Sequence, residues 1–144
     1  MCIKDLFSNW IGLPVSSGIP QGSLLGPILF IIYINDLVEH CISGTDLYLY
    51  ADDAKLFSYV TSWEDSVRLQ NDIDCLTQWM EVWLLRLNIG KCKAVSYGRK
   101  PAICMNYNVS GVAIDKIESI KDLGVTFDNK LKFDHHINLS LIHI

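Results

Sequence analysis

The chain has 144 residues, half of them hydrophobic, and a formal net charge of -4 at pH 7. That length suits one packed domain, and the hydrophobic fraction excludes a disordered or low-complexity chain. The negative balance argues against a general nucleic-acid binder, because phosphate backbones are held mainly by Lys and Arg. One stretch departs from this average, since residues 82–114 contain no Asp or Glu but include Arg86, Lys91, Lys93, Arg99 and Lys100.

The cysteines and the hydropathy of the chain indicate its cellular compartment and whether it spans a membrane. The five cysteines are odd in number and show neither a CxxC pair nor a zinc-binding spacing. They predict free thiols in an intracellular, reducing compartment, with nucleus and cytoplasm left open. The longest apolar run, residues 24–34, is shorter than the roughly 20 residues that cross a bilayer, so we expect no membrane span.

The first predicted elements are a loop and a helix. Residues 14–26 are rich in Gly, Pro and Ser, and they lead into residues 27–37, which are apolar nearly all round. This pattern predicts a loop followed by a buried helix. Pro27 suits the first helical turn, where its missing N–H costs little.

An acidic hairpin is predicted next. The β-prone runs 46–50 and 54–60 flank the adjacent carboxylates of Asp52 and Asp53. Like charges at such a turn destabilise each other unless one is protonated or a cation is bound. An ordinary solvated turn also explains an Asp-Asp pair, so these two residues alone do not define a site.

A long amphipathic helix follows the hairpin. Capping boxes pairing Thr61 with Glu64 or Ser62 with Asp65 predict its start. Apolar residues then recur at spacings of four and three as far as residue 87, and the helix is expected to stop after residues 88–90. Its apolar stripe is predicted to lie across a sheet.

The rest of the chain predicts short strands. They are expected over residues 94–97, 105–109, 112–117 and 123–127, with a tight turn at Ser110–Gly111. The fold class is therefore α+β, with a small antiparallel sheet that carries the acidic hairpin and has both helices packed on one face.

Two sequence segments resemble a known family. Residues 17–30 read SGIPQGSLLGPILF and residues 47–54 read LYLYADDA. In this order and at this separation they resemble the reverse transcriptases of LINE-like, jockey-type non-LTR retrotransposons. The resemblance continues through residues 87–93 and 123–125, so that it covers most of the chain.

The resemblance implies a partial polymerase domain. It assigns a palm to about residues 15–127 and the start of a thumb to about residues 128–144. The fingers are missing, and so is the first palm strand, which in the family carries a further metal-binding aspartate. Asp5 stands in a stretch without a match to the family, so it is not nominated for that role.

The resemblance makes Asp52 and Asp53 catalytic metal ligands, with Asp52 the stronger candidate. The family uses two divalent ions, one to activate the primer hydroxyl and one to steady the nucleotide triphosphate. Mg²⁺, with Mn²⁺ as the alternative, suits carboxylate oxygens. Contacts to the nucleotide, template and primer end are implied for Gly18, Pro20, Gln21, Gly22, Tyr50 and Ala51.

Two further sites are implied by the resemblance. Lys91 stands where the family places a lysine near the triphosphate, although a solvated lysine after a helix end explains it equally well. Leu123 and Gly124 match the hairpin that holds the primer backbone, which is weak support by itself.

The expected function is RNA-directed DNA synthesis, with an RNA template, a DNA primer and deoxynucleotide triphosphates as partners and no membrane. Because one aspartate and the fingers are missing, the chain is expected to be inactive alone. A parent polyprotein or a partner would supply the missing parts. The alternatives are a non-catalytic palm remnant that binds RNA or DNA and a decayed gene product without function.

Overall fold

The structure is a computed structural model that describes residues 2–4, 24–37, 44–50, 53–98, 105–134 and 136–137. In chain order, the elements within these residues are β1 (Cys2–Lys4), α1 (Leu25–Ile34), β2 (Asp46–Tyr50), β3 (Asp53–Phe57), α2 (Trp63–Val82), a 3₁₀ turn (Ile89–Lys91), β4 (Lys93–Val95), β5 (Asn108–Val109), β6 (Val112–Ala113), β7 (Asp115–Ile117), β8 (Ser119–Asp122) and β9 (Val125–Asp128).

The strands form small sheets rather than one large one. Strand β1 pairs antiparallel with β4, and β4 pairs parallel with β7. The pairs β2–β3, β5–β6 and β8–β9 are antiparallel hairpins. Strand β1 also contacts β3, so the described strands β3, β1 and β4 lie next to one another.

Several strands differ from the predicted ones in their bounds or in their pairing. The pair β2–β3, which carries the acidic hairpin, is antiparallel as predicted, whereas the parallel pairing of β4 with β7 in a separate sheet was not predicted. The predicted strand over residues 112–117 is interrupted at Ile114, and β1 and β8 were not predicted. These strands are two to four residues long, so their positions depend on pairing with distant strands more than on their own sequence.

The predicted capping box at the start of α2 is confirmed, in the Ser62 alternative. The Ser62 hydroxyl accepts a hydrogen bond from the Asp65 N–H at 3.2 Å, and the Asp65 carboxylate accepts one from the Ser62 N–H at 2.9 Å. Two of the unpaired donors at the helix start are satisfied in this way.

The predicted end of α2 was wrong, because the helix ends at Val82 instead of near residue 88. Leu84 adopts a φ of 58°, and the Leu85 N–H bonds back to the Met80 carbonyl at 2.8 Å, as in a Schellman motif. The apolar spacing misled because Leu85 and Leu87 pack against the core from non-helical backbone.

One cluster of buried residues joins both helices to the strands. Helix α2 contributes its buried apolar stripe, and β3 contributes Ala54 and Leu56. The full cluster is Ile34, Leu37, Ala54, Leu56, Leu69, Ile73, Leu76, Trp79, Met80, Cys92, Ala94, Tyr107, Val109 and Ile114. Both helical segments therefore contact the same core.

The expectation that the first helix is buried was wrong. Of the residues in α1, Ile34 is buried, while Leu25, Ile28, Leu29, Ile31 and Ile32 are about half exposed or more. Tyr33 links α1 to the end of α2, since its hydroxyl donates a hydrogen bond to the Trp83 carbonyl and its ring meets the Trp83 ring edge-on with centroids 5.2 Å apart. Within the described residues, neither helix combines the length and hydropathy that a membrane span requires.

Candidate catalytic hairpin and its surroundings

The predicted acidic hairpin is present as β2–β3. Tyr50 and Asp53 are paired opposite each other at the described end of this hairpin, with two residues between them in the chain. Those two residues are Ala51 and Asp52, which lie outside the described residues. Tyr50 exposes 61% of its surface, and Asp53 is half-buried as the first residue of β3.

Strand β3 is covered on both faces, because Ala54, Lys55 and Leu56 are all buried in succession. Ala54 and Leu56 point into the core. Since side chains alternate along a strand, Lys55 lies on the opposite face, which it shares with Asp53. The acidic turn is thus attached to a well-packed strand.

A buried ion pair covers the second face of β3. The Lys55 ammonium lies 2.7 Å from the Asp122 carboxylate, at the end of β8. This pair was not predicted from the sequence. A signal for it existed, since Lys55 is the one cation in β3, lies between the apolar residues Ala54 and Leu56, and a buried cation needs a partner.

The predicted primer-contacting residues form the turn of the β8–β9 hairpin. Leu123 and Gly124 have φ angles of 45° and 87° and lie between the paired residues Asp122 and Val125. Positive φ at both central positions defines a type I′ turn, which usually takes Asn, Asp or Gly. The prediction of a strand beginning at Leu123 was therefore wrong, because this apolar residue lies in the turn and is 56% exposed.

The segment after β9 is held by Asp128. Its carboxylate accepts hydrogen bonds from the backbone N–H groups of Lys130, Lys132 and Phe133 at 2.8 to 2.9 Å. These bonds lower the pKa of Asp128 below its ordinary value, and the bond from the Phe133 N–H has the largest effect. Phe133 in turn packs edge-on against Phe127 of β9, so the hairpin is held at its open end.

Lys91 is exposed in the 3₁₀ turn between α2 and β4. Its backbone N–H bonds to the Asn88 carbonyl, which fixes the turn and leaves the side chain accessible to an anion. The nearby Lys93 is engaged by Asp115 at 2.5 Å. Arg99 and Lys100 of the basic stretch lie outside the described residues, as do Gly18, Pro20, Gln21 and Gly22.

The donor chemistry of the acidic turn fits a hard divalent cation, because Asp52 and Asp53 offer carboxylate oxygens. Across the described ranges, three or more His, Cys, Asp or Glu side chains do not gather into a metal-binding group.

The family comparison identifies the class of protein. The family described as reverse transcriptase (RNA-dependent DNA polymerase) matches residues 2–127. The match covers the acidic hairpin, both helices and the β8–β9 turn. The chain belongs to the reverse transcriptase family.

Its relatives come from insect mobile elements. The chain is 33% identical over 131 residues to the RNA-directed DNA polymerase from mobile element jockey of Drosophila melanogaster, covering 86% of this chain and 14% of that protein. Its counterpart from Drosophila funebris is 30% identical over 136 residues, covering 90% of this chain and 15% of that protein. A probable RNA-directed DNA polymerase from transposon BS of Drosophila melanogaster is 30% identical over 130 residues, with coverages of 84% and 14%.

The predicted likeness to jockey-type elements is confirmed by these relatives. The chain spans about one seventh of their length.

Proposed function

We propose that this chain is the palm part of an RNA-directed DNA polymerase of a non-LTR retrotransposon. The observation that carries the proposal is the hairpin in which Asp53 begins β3 directly opposite Tyr50. Packing of Ala54 and Leu56 into the core gives this hairpin a rigid base. Rigid placement suits a catalytic turn, because small displacements of reacting groups greatly reduce the rate of transfer.

In this proposal Asp52 and Asp53 bind Mg²⁺ or Mn²⁺. Bound divalent ions lower the charge cost of attack by the primer hydroxyl and of pyrophosphate departure. The carboxylates hold the ions, and β3 fixes the direction from which Asp53 reaches them. The exposed Tyr50 ring and Ala51 would lie beneath the primer end.

The proposed substrates are an RNA template, a DNA primer and deoxynucleotide triphosphates. Gly18, Pro20, Gln21 and Gly22 are assigned to the nucleotide and template, as expected from the resemblance. The turn at Leu123 and Gly124 is assigned to the primer backbone. Support for that turn comes from Leu123, whose exposed apolar side chain and positive φ are costly features that a contact surface would explain.

Lys91 is assigned to the triphosphate. Its support is the exposed position of its ammonium at the end of a fixed 3₁₀ turn. A cation there would stabilise negative charge on the leaving pyrophosphate.

We further propose that the chain is inactive alone and works inside a longer polypeptide, or with a partner that supplies fingers and a further aspartate. The large exposed apolar surface of α1 supports this, because isolated proteins seldom leave such surfaces uncovered. An intracellular, reducing location is part of the proposal, and it agrees with Cys75 and Cys92, which form no disulfide within the described part of the chain.

Metal binding provides the decisive test of the site. Titration with Mn²⁺, followed by paramagnetic broadening of backbone amide signals, should broaden Tyr50 and Asp53 first. Variants Asp52→Asn and Asp53→Asn should weaken the binding by roughly tenfold or more. Broadening in both variants that equals the broadening in the wild type would exclude Asp52 and Asp53 as ligands.

Primer extension tests the expected inactivity. The chain, an RNA template, a DNA primer, four nucleotides and Mg²⁺ should give no more product than the Asp53→Asn variant. Robust extension that disappears in that variant would show an active polymerase. Salt-dependent RNA binding without Mn²⁺ binding would favour a non-catalytic remnant, and a chain without a cooperative unfolding transition would favour a decayed gene product.

A further inference from the structure

The Lys55–Asp122 ion pair is unusual for its burial. The side chains of Lys55 and Asp122 expose 9% and 17% of their surfaces, with 2.7 Å between the ammonium nitrogen and the carboxylate oxygen. Buried ion pairs often stabilise a fold no more than apolar residues of the same volume would. Stability alone is therefore a weak reason for a lysine in the middle of β3.

The location of the pair suggests a more specific role. Lys55 lies two residues after Asp53 on the same face of β3, about 7 Å along the strand. Asp122 directly precedes Leu123 in the β8–β9 turn. The pair thus joins the acidic hairpin to a second turn that lies 67 residues further along the chain.

We propose that Lys55 and Asp122 are positioning residues that hold the Leu123–Gly124 turn at a fixed place relative to the acidic hairpin. Asp122 has a second effect in this arrangement, because it engages an ammonium group that could otherwise reach the Asp53 carboxylate. The importance of the two turns rests on the proposed function, whereas their relative placement does not.

The electrostatic part follows from the reach of lysine. A lysine side chain has a flexible four-carbon stem, so without Asp122 the Lys55 ammonium can swing along its face of β3 towards Asp53. A cation beside a carboxylate competes with a divalent ion for the same oxygens. Loss of Asp122 should therefore release the β8–β9 turn and also weaken metal binding at Asp53.

The chain offers a matched control. Lys93 and Asp115 form a second lysine–aspartate pair at 2.5 Å, but their side chains are 30% and 74% exposed. Exposed pairs contribute little because water screens their charges. Asp115→Asn removes the same charge as Asp122→Asn without disturbing a buried contact.

Hydrogen exchange tests the placement without reference to activity. Amide exchange at Gly124 and in β8–β9 should accelerate by about 100-fold in Asp122→Asn, because the buried charge pair that ties this turn to β3 is broken. The α2 amides serve as the internal reference for global unfolding. Exchange in β8–β9 that accelerates no more than exchange in α2, or no more than in Asp115→Asn, would overturn the positioning role.

A second pair of variants separates charge from packing. Lys55→Arg retains a cation and should keep slow exchange in β8–β9. The double variant Lys55→Met with Asp122→Leu should stay folded, since apolar residues can replace a buried pair. It also removes the competing ammonium, so its Mn²⁺ affinity should return to the wild-type value, whereas Asp122→Asn should bind Mn²⁺ roughly tenfold more weakly.

The outcomes of the metal titration are distinct. Equal Mn²⁺ affinity in wild type and Asp122→Asn would contradict the electrostatic role of Asp122. Absence of Mn²⁺ binding in the wild type would count against the proposed function and against this electrostatic role. The exchange measurement would then still decide whether Lys55 and Asp122 position the second turn.

Discussion

Helices α1 and α2 differ in two respects among the described residues. These are the hydrogen bonds that fix the helix ends and the burial of the apolar side chains. Helix α2 has a reciprocal capping box at its start, a Schellman motif at its end and a buried apolar stripe. Helix α1 has no side-chain cap, and most of its apolar residues face outward. Helix α2 is therefore fixed at both ends and along its buried face, whereas α1 leaves most of its apolar surface uncovered among the described residues.

The difference arises from composition as well as position. α2 alternates polar and apolar residues with a helical period, so one face meets the core and the other meets water. α1 contains no charged residue and is apolar on every side. Such a helix gains stability only when neighbours cover several of its faces.

The largest expected effect is on the core face of α2. Leu76 is fully buried, so Leu76→Ala should lower the free energy of unfolding by about 2–5 kcal/mol through lost burial and a residual cavity. Urea unfolding followed by circular dichroism measures this. Ile31→Ala on the exposed side of α1 is the matched control, and an equal loss there would remove the distinction between the helices.

A smaller effect is expected at the cap of α2. Ser62→Ala removes the hydroxyl that accepts from the Asp65 N–H and should cost about 1 kcal/mol of stability. The unfolding midpoint in urea should fall with an unchanged slope. An unchanged midpoint would show that the remaining bonds to Asp65 are sufficient to start the helix.

The same cap should give α2 a pH dependence. Hydrogen bonds from Thr61 and Ser62 lower the pKa of Asp65 from its ordinary 3.8 to about 2. The bond from the Thr61 backbone N–H has the largest effect. A depressed folded pKa means that this contribution is fully present above the ordinary value and is lost as the pH falls through about 2. Asp65→Asn should therefore reduce the change in stability between pH 5 and pH 2. An identical profile in Asp65→Asn would contradict this assignment.

The smallest effect on stability is expected on the exposed face of α1. Ile32 is 65% exposed, so Ile32→Ser should change the free energy of unfolding by less than about 0.5 kcal/mol. It should nevertheless reduce self-association, measured by sedimentation, because it removes exposed apolar surface. A large loss of stability would show that this face is packed within the chain.

Sequence alone determined the features that depend on local order. The motifs at residues 17–30 and 47–54 identified the family, since an ordered pair of such segments depends on no tertiary contact. The β2–β3 hairpin and the Ser62 cap were predictable because each depends on residues only a few positions apart. The turn at Ser110–Gly111 was predictable for the same reason.

Tertiary structure decided what depends on distant partners. It placed the end of α2 at Val82 and left the face of α1 exposed, although the apolar patterns of both segments predicted otherwise. It also paired Lys55 with Asp122, which no local pattern could select among the acids of the chain. The reason is physical, because burial and ion pairing depend on which surfaces meet, whereas turns and caps depend on the order of neighbouring residues.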